Sequence, residues 1–74
     1  MAILVKVYAT LSRYTGGETT LYIEGAETVH ALLEMIGVPE GEVKNVMVNG
    51  RRREHDYTLT DGDRVALFPP IAGG

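Results

Sequence analysis

Two stretches near the start of the chain alternate between apolar and polar residues, as strands with one buried face do. In residues 2–9 (AILVKVYA), every second position from Ile3 onward is apolar. Lys6 lies on the opposite face and indicates that this face is the more solvent-exposed one. Residues 18–24 (ETTLYIE) alternate in the same way. The Gly-rich turn at 15–17 lies between the two stretches, so the pattern predicts an N-terminal hairpin.

The period of the apolar positions changes from two to that of a helix after residue 27. The spacing i, i+3, i+4, i+7 of one helical face is met by Val29, Leu32, Leu33 and Ile36. Thr28 is the expected N-cap, and Gly37 is the expected C-terminal stop. A helix of about two to three turns is marginal in water by itself, so we expect it to pack on the sheet.

Further strands are predicted at 43–48 (VKNVMV) and 64–68 (RVALF), and a short strand or bridge at 57–59. Turns are predicted at Asn49-Gly50 and at 61–63. The first and last strands are the most apolar, so we place them side by side and parallel at the sheet centre. The predicted fold class is α+β, with a mixed four- to five-stranded sheet and one main helix packed on one face, which is the β-grasp arrangement.

Length and composition restrict both the architecture and the class of function. The 74 residues leave room for one domain, and the absence of Cys excludes disulfides and thiolate chemistry on this chain. A net charge of −3 disfavours nucleic acid as the main partner. The longest apolar run is too short to span a bilayer, and no segment resembles a signal peptide. We therefore predict a cytoplasmic protein without a membrane or nucleic-acid partner.

The remaining polar clusters have structural interpretations. His30 and His55 are isolated, without a Cys partner or a His/Glu ligand frame, so no metal site is predicted. Asp61 and Asp63 flank a turn glycine and are interpreted as turn formers, not as a paired acid and base. The basic run at 51–53 is interpreted as a solvated hairpin, and contact with an acidic partner or a phosphate is the alternative.

The chain closes with Pro69-Pro70-Ile71-Ala72-Gly73-Gly74. Two prolines lack N–H donors and favour an extended exit from a sheet. We therefore divide the chain into a domain at 1–68 and an extended tail at 69–74. Glycine lets the backbone approach another group closely because it has no Cβ, so the last two residues suit entry into the narrow active site of a second protein.

Residues 59–74 (LTDGDRVALFPPIAGG) resemble the C-terminus of the molybdopterin synthase small subunit, a MoaD/ThiS-type ubiquitin-like sulfur carrier. The resemblance extends more loosely over the whole chain. It implies that a ubiquitin-activating-type adenylyltransferase uses ATP to adenylate Gly74, and that a sulfur donor then converts the acyl-adenylate to a thiocarboxylate. The large synthase subunit would bind the pterin precursor that receives the sulfur. Gly73 would allow entry into the activating site, and the carrier itself would bind no cofactor.

A partner-binding surface is predicted at the base of the tail. Tyr8, Ala66 and Phe68 lie on the sheet face opposite the predicted helix, where an apolar patch indicates an interface more than ordinary surface. In the resembled family this face docks on the activating enzyme and on the large subunit. The resemblance also implies that the segment between this face and the terminal glycines extends into the partner's active site. This segment consists of Pro69, Pro70, Ile71 and Ala72. Because the chain has no catalytic constellation, we interpret it as the sulfur-donating subunit of a transferase and not as a complete enzyme.

Three functional hypotheses remain open on the sequence. The first is a sulfur carrier. The sequence Phe68-Pro69-Pro70 before the end of the tail favours the molybdenum or tungsten cofactor pathway over thiamine or tRNA thiolation. The second is a protein modifier that passes the activated Gly74 to a target lysine. The third is a binding module with an inert tail.

Overall fold

The computed structural model describes residues 2–70, and Met1 and residues 71–74 lie outside the described residues. Within residues 2–70 there are five strands and one α-helix. In chain order they are β1 (Ala2–Val7), β2 (Thr20–Glu24), α1 (Val29–Ile36), β3 (Asn45–Val48), β4 (Arg51–Arg52) and β5 (Arg64–Phe68). Two 3-10 helices span Ala9–Thr15 and Glu40–Glu42. The predicted α+β class with one main helix is confirmed.

The five strands form one mixed sheet in the order β2-β1-β5-β3-β4. β1 and β5 are parallel neighbours, whereas the other three pairs are antiparallel. The prediction that the first and last strands lie side by side at the sheet centre is therefore confirmed. This pairing brings the end of β5, from which the tail leaves, next to the end of β1.

A single core lies between α1 and one face of the sheet. The strands contribute the side chains that strand alternation predicted to point inward, and α1 contributes one face of its helix. The buried members from these elements are Ile3, Val5, Val7, Val29, Leu32, Leu33, Val46, Val48, Val65 and Leu67. Burial of apolar area is the main favourable contribution in a domain that has no disulfide.

The ends of α1 follow the predicted capping residues. The Thr28 hydroxyl accepts a hydrogen bond from the Ala31 N–H at 3.1 Å. Gly37 follows the last turn with φ 78°, a left-handed conformation that glycine adopts without a Cβ penalty. Thr28 also forms an isolated antiparallel bridge with Thr58, which confirms the short bridge predicted at 57–59.

Three strand boundaries differ from the prediction. β1 ends at Val7 instead of residue 9, because Ala9 turns to φ 54° and opens a 3-10 helix that buries Leu11. β2 begins at residue 20 instead of 18, after the turn at residues 16–17. β3 begins at residue 45 instead of 43, because the preceding 3-10 helix ends with a hydrogen bond from the Val43 N–H to the Glu40 carbonyl. The sequence pattern predicted strand at all three ends, and local turns overrode it.

The turn between β3 and β4 has the geometry that its sequence predicts. Asn49 has φ 53° and Gly50 has φ 82°, so both central residues are left-handed, as in the turns that join short hairpins. The short strand β4 lies within the basic run at 51–53, which is interpreted above as a solvated hairpin. None of the helices found in residues 2–70 has the length and the hydrophobicity of a transmembrane span.

Candidate partner-binding face and tail base

Tyr8 and Phe68 stack on each other where the two central strands end. Their ring centroids are 4.6 Å apart and the ring planes differ by 9°. The Tyr8 N–H donates to the Leu67 carbonyl at 3.1 Å, at the end of the parallel pairing of β1 with β5. Tyr8 keeps 41% of its surface exposed. The pair therefore forms an aromatic platform at the point where the chain leaves the sheet.

Ala66 lies beside this platform on the sheet face that points away from α1. Strand alternation places Leu4, Met47 and Phe68 on the same face, and all three are half-buried. Together with Lys6 and Arg64 these residues line a shallow, mainly apolar depression. The predicted grouping of Tyr8, Ala66 and Phe68 on one face is therefore present in the structure.

Pro69 and Pro70 follow β5 without regular secondary structure. The Phe68 carbonyl accepts a hydrogen bond from the Lys44 N–H at 2.9 Å. Both prolines line a second depression, together with Tyr8, Ala9 and Asn45. The other predicted tail residues, Ile71, Ala72, Gly73 and Gly74, lie outside the described residues. Their predicted roles, and the division of the chain into 1–68 and 69–74, stay predictions.

The start of β5 is held by a buried carboxylate. Asp63 is 6% exposed, and its oxygens accept hydrogen bonds from the Asn49 amide at 2.8 Å, the Thr60 N–H at 2.8 Å and the Thr60 hydroxyl at 3.1 Å. Burial alone would raise the pKa of Asp63, but these three donors outweigh it and lower the pKa below its ordinary value. Asp61 accepts a hydrogen bond from the Ala2 N–H at 2.7 Å. Both aspartates are turn residues with structural partners, as predicted.

The prediction that His30 and His55 are isolated is wrong. The Glu40 carboxylate bonds to Nδ1 of His30 and also lies 3.4 Å from Nδ1 of His55. Glu34, one turn further along α1, lies 3.3 Å from Nε2 of His30. Glu40 raises the pKa of His30 by hydrogen bonding and by its charge, and Glu34 adds to the effect. The spacing of residues 30, 40 and 55 contains no local signal for this cluster, because three separate segments supply it.

The His–Glu cluster ties α1 to the loops around it. The His30 N–H also donates to the His55 carbonyl at 2.8 Å, so side-chain and backbone contacts join the same two segments. Among residues 2–70, no group of three or more His, Cys, Asp or Glu side chains has an arrangement that could hold a metal ion. The cluster is therefore a link between segments on the helix side, away from the tail base.

The basic run at 51–53 divides between two environments. Arg51 and Arg52 are exposed on the short edge strand β4. Arg53 is half-buried, and its guanidinium lies 4.7 Å from the centroid of the Tyr57 ring. The stacking accounts for the position of Arg53, so this residue belongs to the hairpin structure.

The sheet order, the single helix across one face and the aromatic platform beside the chain exit define a ubiquitin-like β-grasp protein. A sequence model of the ThiS family matches residues 5–74, and the chain belongs to this family. The predicted MoaD/ThiS-type recognition is thereby confirmed. The family comprises sulfur carriers and ubiquitin-like modifiers.

Individual relatives cover both kinds of protein. Small archaeal modifier protein 3 of Haloferax volcanii is 48% identical over 44 residues, a match that covers 50% of this chain and 48% of the length of that relative. A Pyrococcus furiosus protein provisionally named molybdopterin converting factor subunit 1 is 31% identical, with a TM-score of 0.77 over 96% of this chain and 99% of that one. A chain of the BexX/CysO complex of Amycolatopsis orientalis is 26% identical, with a TM-score of 0.75 over 97% and 99% of the two chains.

Proposed function

We propose that this chain is a sulfur carrier that holds sulfur as a thiocarboxylate on Gly74. The observation that carries the proposal is that the family match runs through the Gly-Gly pair to residue 74, and so includes the segment that the reaction requires. The described part of the tail supports it. Pro69 and Pro70 leave the sheet beside the exposed aromatic platform, where an activating enzyme has room to hold the chain.

The chemistry needs a carboxylate and no side-chain nucleophile. An ATP-using, ubiquitin-activating-type adenylyltransferase joins the Gly74 carboxylate to AMP and releases pyrophosphate. Hydrosulfide supplied by the sulfur donor then attacks the acyl carbon, so that a C–S bond forms, the bond to AMP breaks, and AMP and the hydrosulfide proton leave the thiocarboxylate. The product holds sulfur without a thiol on the carrier, in agreement with a chain that has no Cys. Gly73 fits the narrow entry that such a reaction needs, because it has no Cβ.

The acceptor that we favour is a pterin precursor of the molybdenum or tungsten cofactor, with this chain as the small subunit of the synthase. Two observations support this choice: the resemblance of residues 59–74 to that subunit, and the likeness to the Pyrococcus furiosus protein over nearly all of both chains. The outer sheet face around Ala66 and Phe68 would then dock on the activating enzyme and on the large subunit in turn.

A second candidate function is that of a protein modifier. The similarity to small archaeal modifier protein 3 favours it, and activation of Gly74 would be common to both functions. The two differ in the nucleophile that attacks the acyl-adenylate, which is hydrosulfide in a carrier. In a modifier, the amine of a target lysine displaces AMP and forms an isopeptide bond.

The test is the intact mass of the chain after incubation with ATP, its activating enzyme and a sulfur donor. We expect the mass to increase by the replacement of one oxygen by sulfur, and peptide mapping to place the change on Gly74. A variant that lacks Gly73 and Gly74 should keep the fold and show no change. A wild-type mass that never changes in the complete reaction would contradict the proposal.

The acceptor is tested by adding the thiocarboxylated chain to candidate large subunits with their precursors. Transfer of sulfur to a cyclic pterin phosphate supports the assignment of this chain as the synthase small subunit. Transfer of sulfur only to a thiamine precursor or to tRNA would assign the chain to that pathway instead. Recovery of Gly74 in isopeptide linkage to other proteins in cells would establish the modifier function. The two results are independent, because the first experiment measures the transfer of sulfur and the second measures the attachment of the polypeptide to other proteins.

A further inference from the structure

The two edges of the sheet differ in how well they resist pairing with a further strand. The edge strand β4 has only two residues, Arg51 and Arg52, and a short edge with charged side chains discourages further pairing. The other edge strand, β2, spans Thr20–Glu24, pairs with β1 along its whole length without a bulge, and contains no Pro, Lys or Arg. Tyr22 at its centre has 77% of its surface exposed. The β2 edge is therefore open to a further strand.

The backbone groups of β2 alternate between bonding to β1 and pointing away from it. The Val7 N–H donates to the Thr19 carbonyl at 3.0 Å, so residues 7 and 19 form a hydrogen-bonded pair. The register repeats this arrangement at every second residue, at 5 with 21 and at 3 with 23. The Leu4 N–H points the other way and donates to the Asp63 carbonyl before β5. The outward groups of the β2 edge are therefore those of residues 20, 22 and 24, and no turn or loop within residues 2–70 bonds to them.

A second copy of β2 in antiparallel orientation presents the same outward groups at matching positions. With Tyr22 opposite Tyr22 of the second copy, Thr20 of each copy lies opposite Glu24 of the other. Every outward-pointing residue then faces another one, and each such pair exchanges two backbone hydrogen bonds. A register shifted by one residue would place these groups opposite residues that already bond to β1. The interface is isologous, so pairing through β2 closes at two copies.

The side chains on the outer face of the sheet fit this register. Tyr22 lies beside the half-buried Leu4 of its own copy, so the two tyrosines meet between two apolar residues. Thr20 faces Glu24 of the second copy, and no two like charges lie directly opposite each other. Lys6 pairs with Thr20, which places it two strand spacings, about 10 Å, from Glu24 of the second copy. Within residues 2–70 no carboxylate lies within ion-pair distance of Lys6, so the second copy supplies an opposite charge.

The side chains on the inner face of β2 also fit a second copy. Leu21 and Ile23 pack against the core but are only half-buried, because the helix side does not fully cover this edge. In the register centred on Tyr22, Leu21 of each copy lies opposite Ile23 of the other. Each side chain then covers apolar surface that the other copy leaves exposed. An unrelated strand would share the backbone bonds but not this side-chain match.

We propose that the chain pairs with a second copy of itself through β2 and forms a dimer with one continuous sheet. One strand edge buries less than the roughly 1,200 Å² of a standard interface, so the dimer is weak and forms as the concentration rises. The tail leaves β5 near the β1 end that pairs with the start of β2. Antiparallel pairing therefore places the two tail bases, at Phe68, at opposite ends of the joined sheet. The inference does not depend on the activation of Gly74.

The first experiment is sedimentation equilibrium of the full chain from about 10 µM to about 1 mM. The mass should rise from 8.1 kDa toward twice that value. Tyr22→Lys should raise the dissociation constant about tenfold or more, because it places like charges opposite each other at the two-fold axis. Thr20→Lys is the matched control, since it adds the same charge to the same face of β2 but faces Glu24 of the second copy. It should stay within about twofold of the wild type. Circular dichroism of each variant checks that the fold is kept.

Amide hydrogen exchange measured by NMR tests the register. At low concentration the N–H groups of residues 21 and 23 should be protected by β1, whereas those of residues 20, 22 and 24 should exchange quickly. At high concentration the exchange of residues 20, 22 and 24 should slow about tenfold, and that of residues 21 and 23 should change little. The Tyr22→Lys variant should lose this dependence on concentration.

Each of several results would overturn the inference. One is a wild-type chain that stays monomeric over the whole concentration range. Another is a dimer that Tyr22→Lys and Thr20→Lys weaken equally, or one in which the new protection falls outside residues 20, 22 and 24. A chain that stays monomeric and gains protection at these residues only when a different protein is added would assign the β2 edge to that protein and overturn self-pairing.

Discussion

Asp63 holds together two turns that lie far apart in the sequence, and its replacement by Asn tests how much this carboxylate stabilises the fold. The side chain accepts from Asn49 on one side and from the Thr60 backbone and hydroxyl on the other. Asn49 in turn accepts from the Arg64 N–H at 3.0 Å through its own Oδ1. Asp63→Asn keeps the size of the side chain but replaces one acceptor oxygen with an NH2 group, which would face a donor.

The expected cost follows from the hydrogen bonds that the substitution removes. A hydrogen bond to a charged group contributes about 1.5–3 kcal/mol, and a buried donor left without an acceptor costs about 1–3 kcal/mol. Because one oxygen still accepts, we expect Asp63→Asn to lower the free energy of unfolding by about 2 kcal/mol. In a domain of this size that corresponds to a fall in Tm of roughly 8–16 °C.

The assay is urea unfolding of the wild type and the variant across acidic and neutral pH. The folded pKa of Asp63 lies below its ordinary value of 3.8, so its contribution is fully present above that value and is lost as the pH falls through the folded pKa. The difference in free energy of unfolding between the wild type and the variant should therefore be largest at neutral pH and should become smaller in acid. Asp61→Asn is the control, because the exposed Asp61 makes a single bond to the Ala2 N–H. A gap that does not change with pH, or an equal loss in both variants, would refute the reasoning.

Three further predictions follow from other parts of the fold. Ala9→Gly should raise the free energy of unfolding by about 0.5 kcal/mol in urea melts, because relief of the left-handed φ of 54° outweighs the greater chain entropy of glycine. Leu32→Ala should lower it by about 2–5 kcal/mol, since Leu32 is fully buried between α1 and the sheet. The stability lost in His30→Gln should be largest below pH 6.5 and should disappear as the pH rises through the raised folded pKa of His30, which an NMR titration of the ring measures directly.

Much of the fold could be predicted because its signals are local. Alternation in residues 2–7 and 64–68 showed which side chains face the core, and Thr28 and Gly37 set the ends of the helix through their own capping chemistry. The Asn49-Gly50 turn depends on two residues that tolerate positive φ. The apolar character of the first and last strands was enough to place them together, because central strands need burial on their inner face and pairing on both edges.

The tail motif could also be recognised in the sequence, because the chemistry predicted for it depends on residue types and not on their packing. The residues of the candidate face required both the sequence and the sheet. Alternation alone puts Tyr8, Ala66 and Phe68 on one side, but the stacking of Tyr8 on Phe68 needs β1 and β5 to be parallel and in this register.

Other features were decided only by tertiary structure. The sequence does not bring His30, Glu40 and His55 together, since their contact depends on how α1 and two loops pack. The burial of Leu11 depends on a 3-10 helix that begins at a strained Ala9, where the alternating pattern of residues 2–9 predicts a strand. Likewise, Arg51 and Arg52 are equivalent in the sequence, and only the pairing of β4 with β3 assigns them to opposite faces. Local backbone preferences are encoded residue by residue, whereas contacts between distant segments exist only once the whole core has formed.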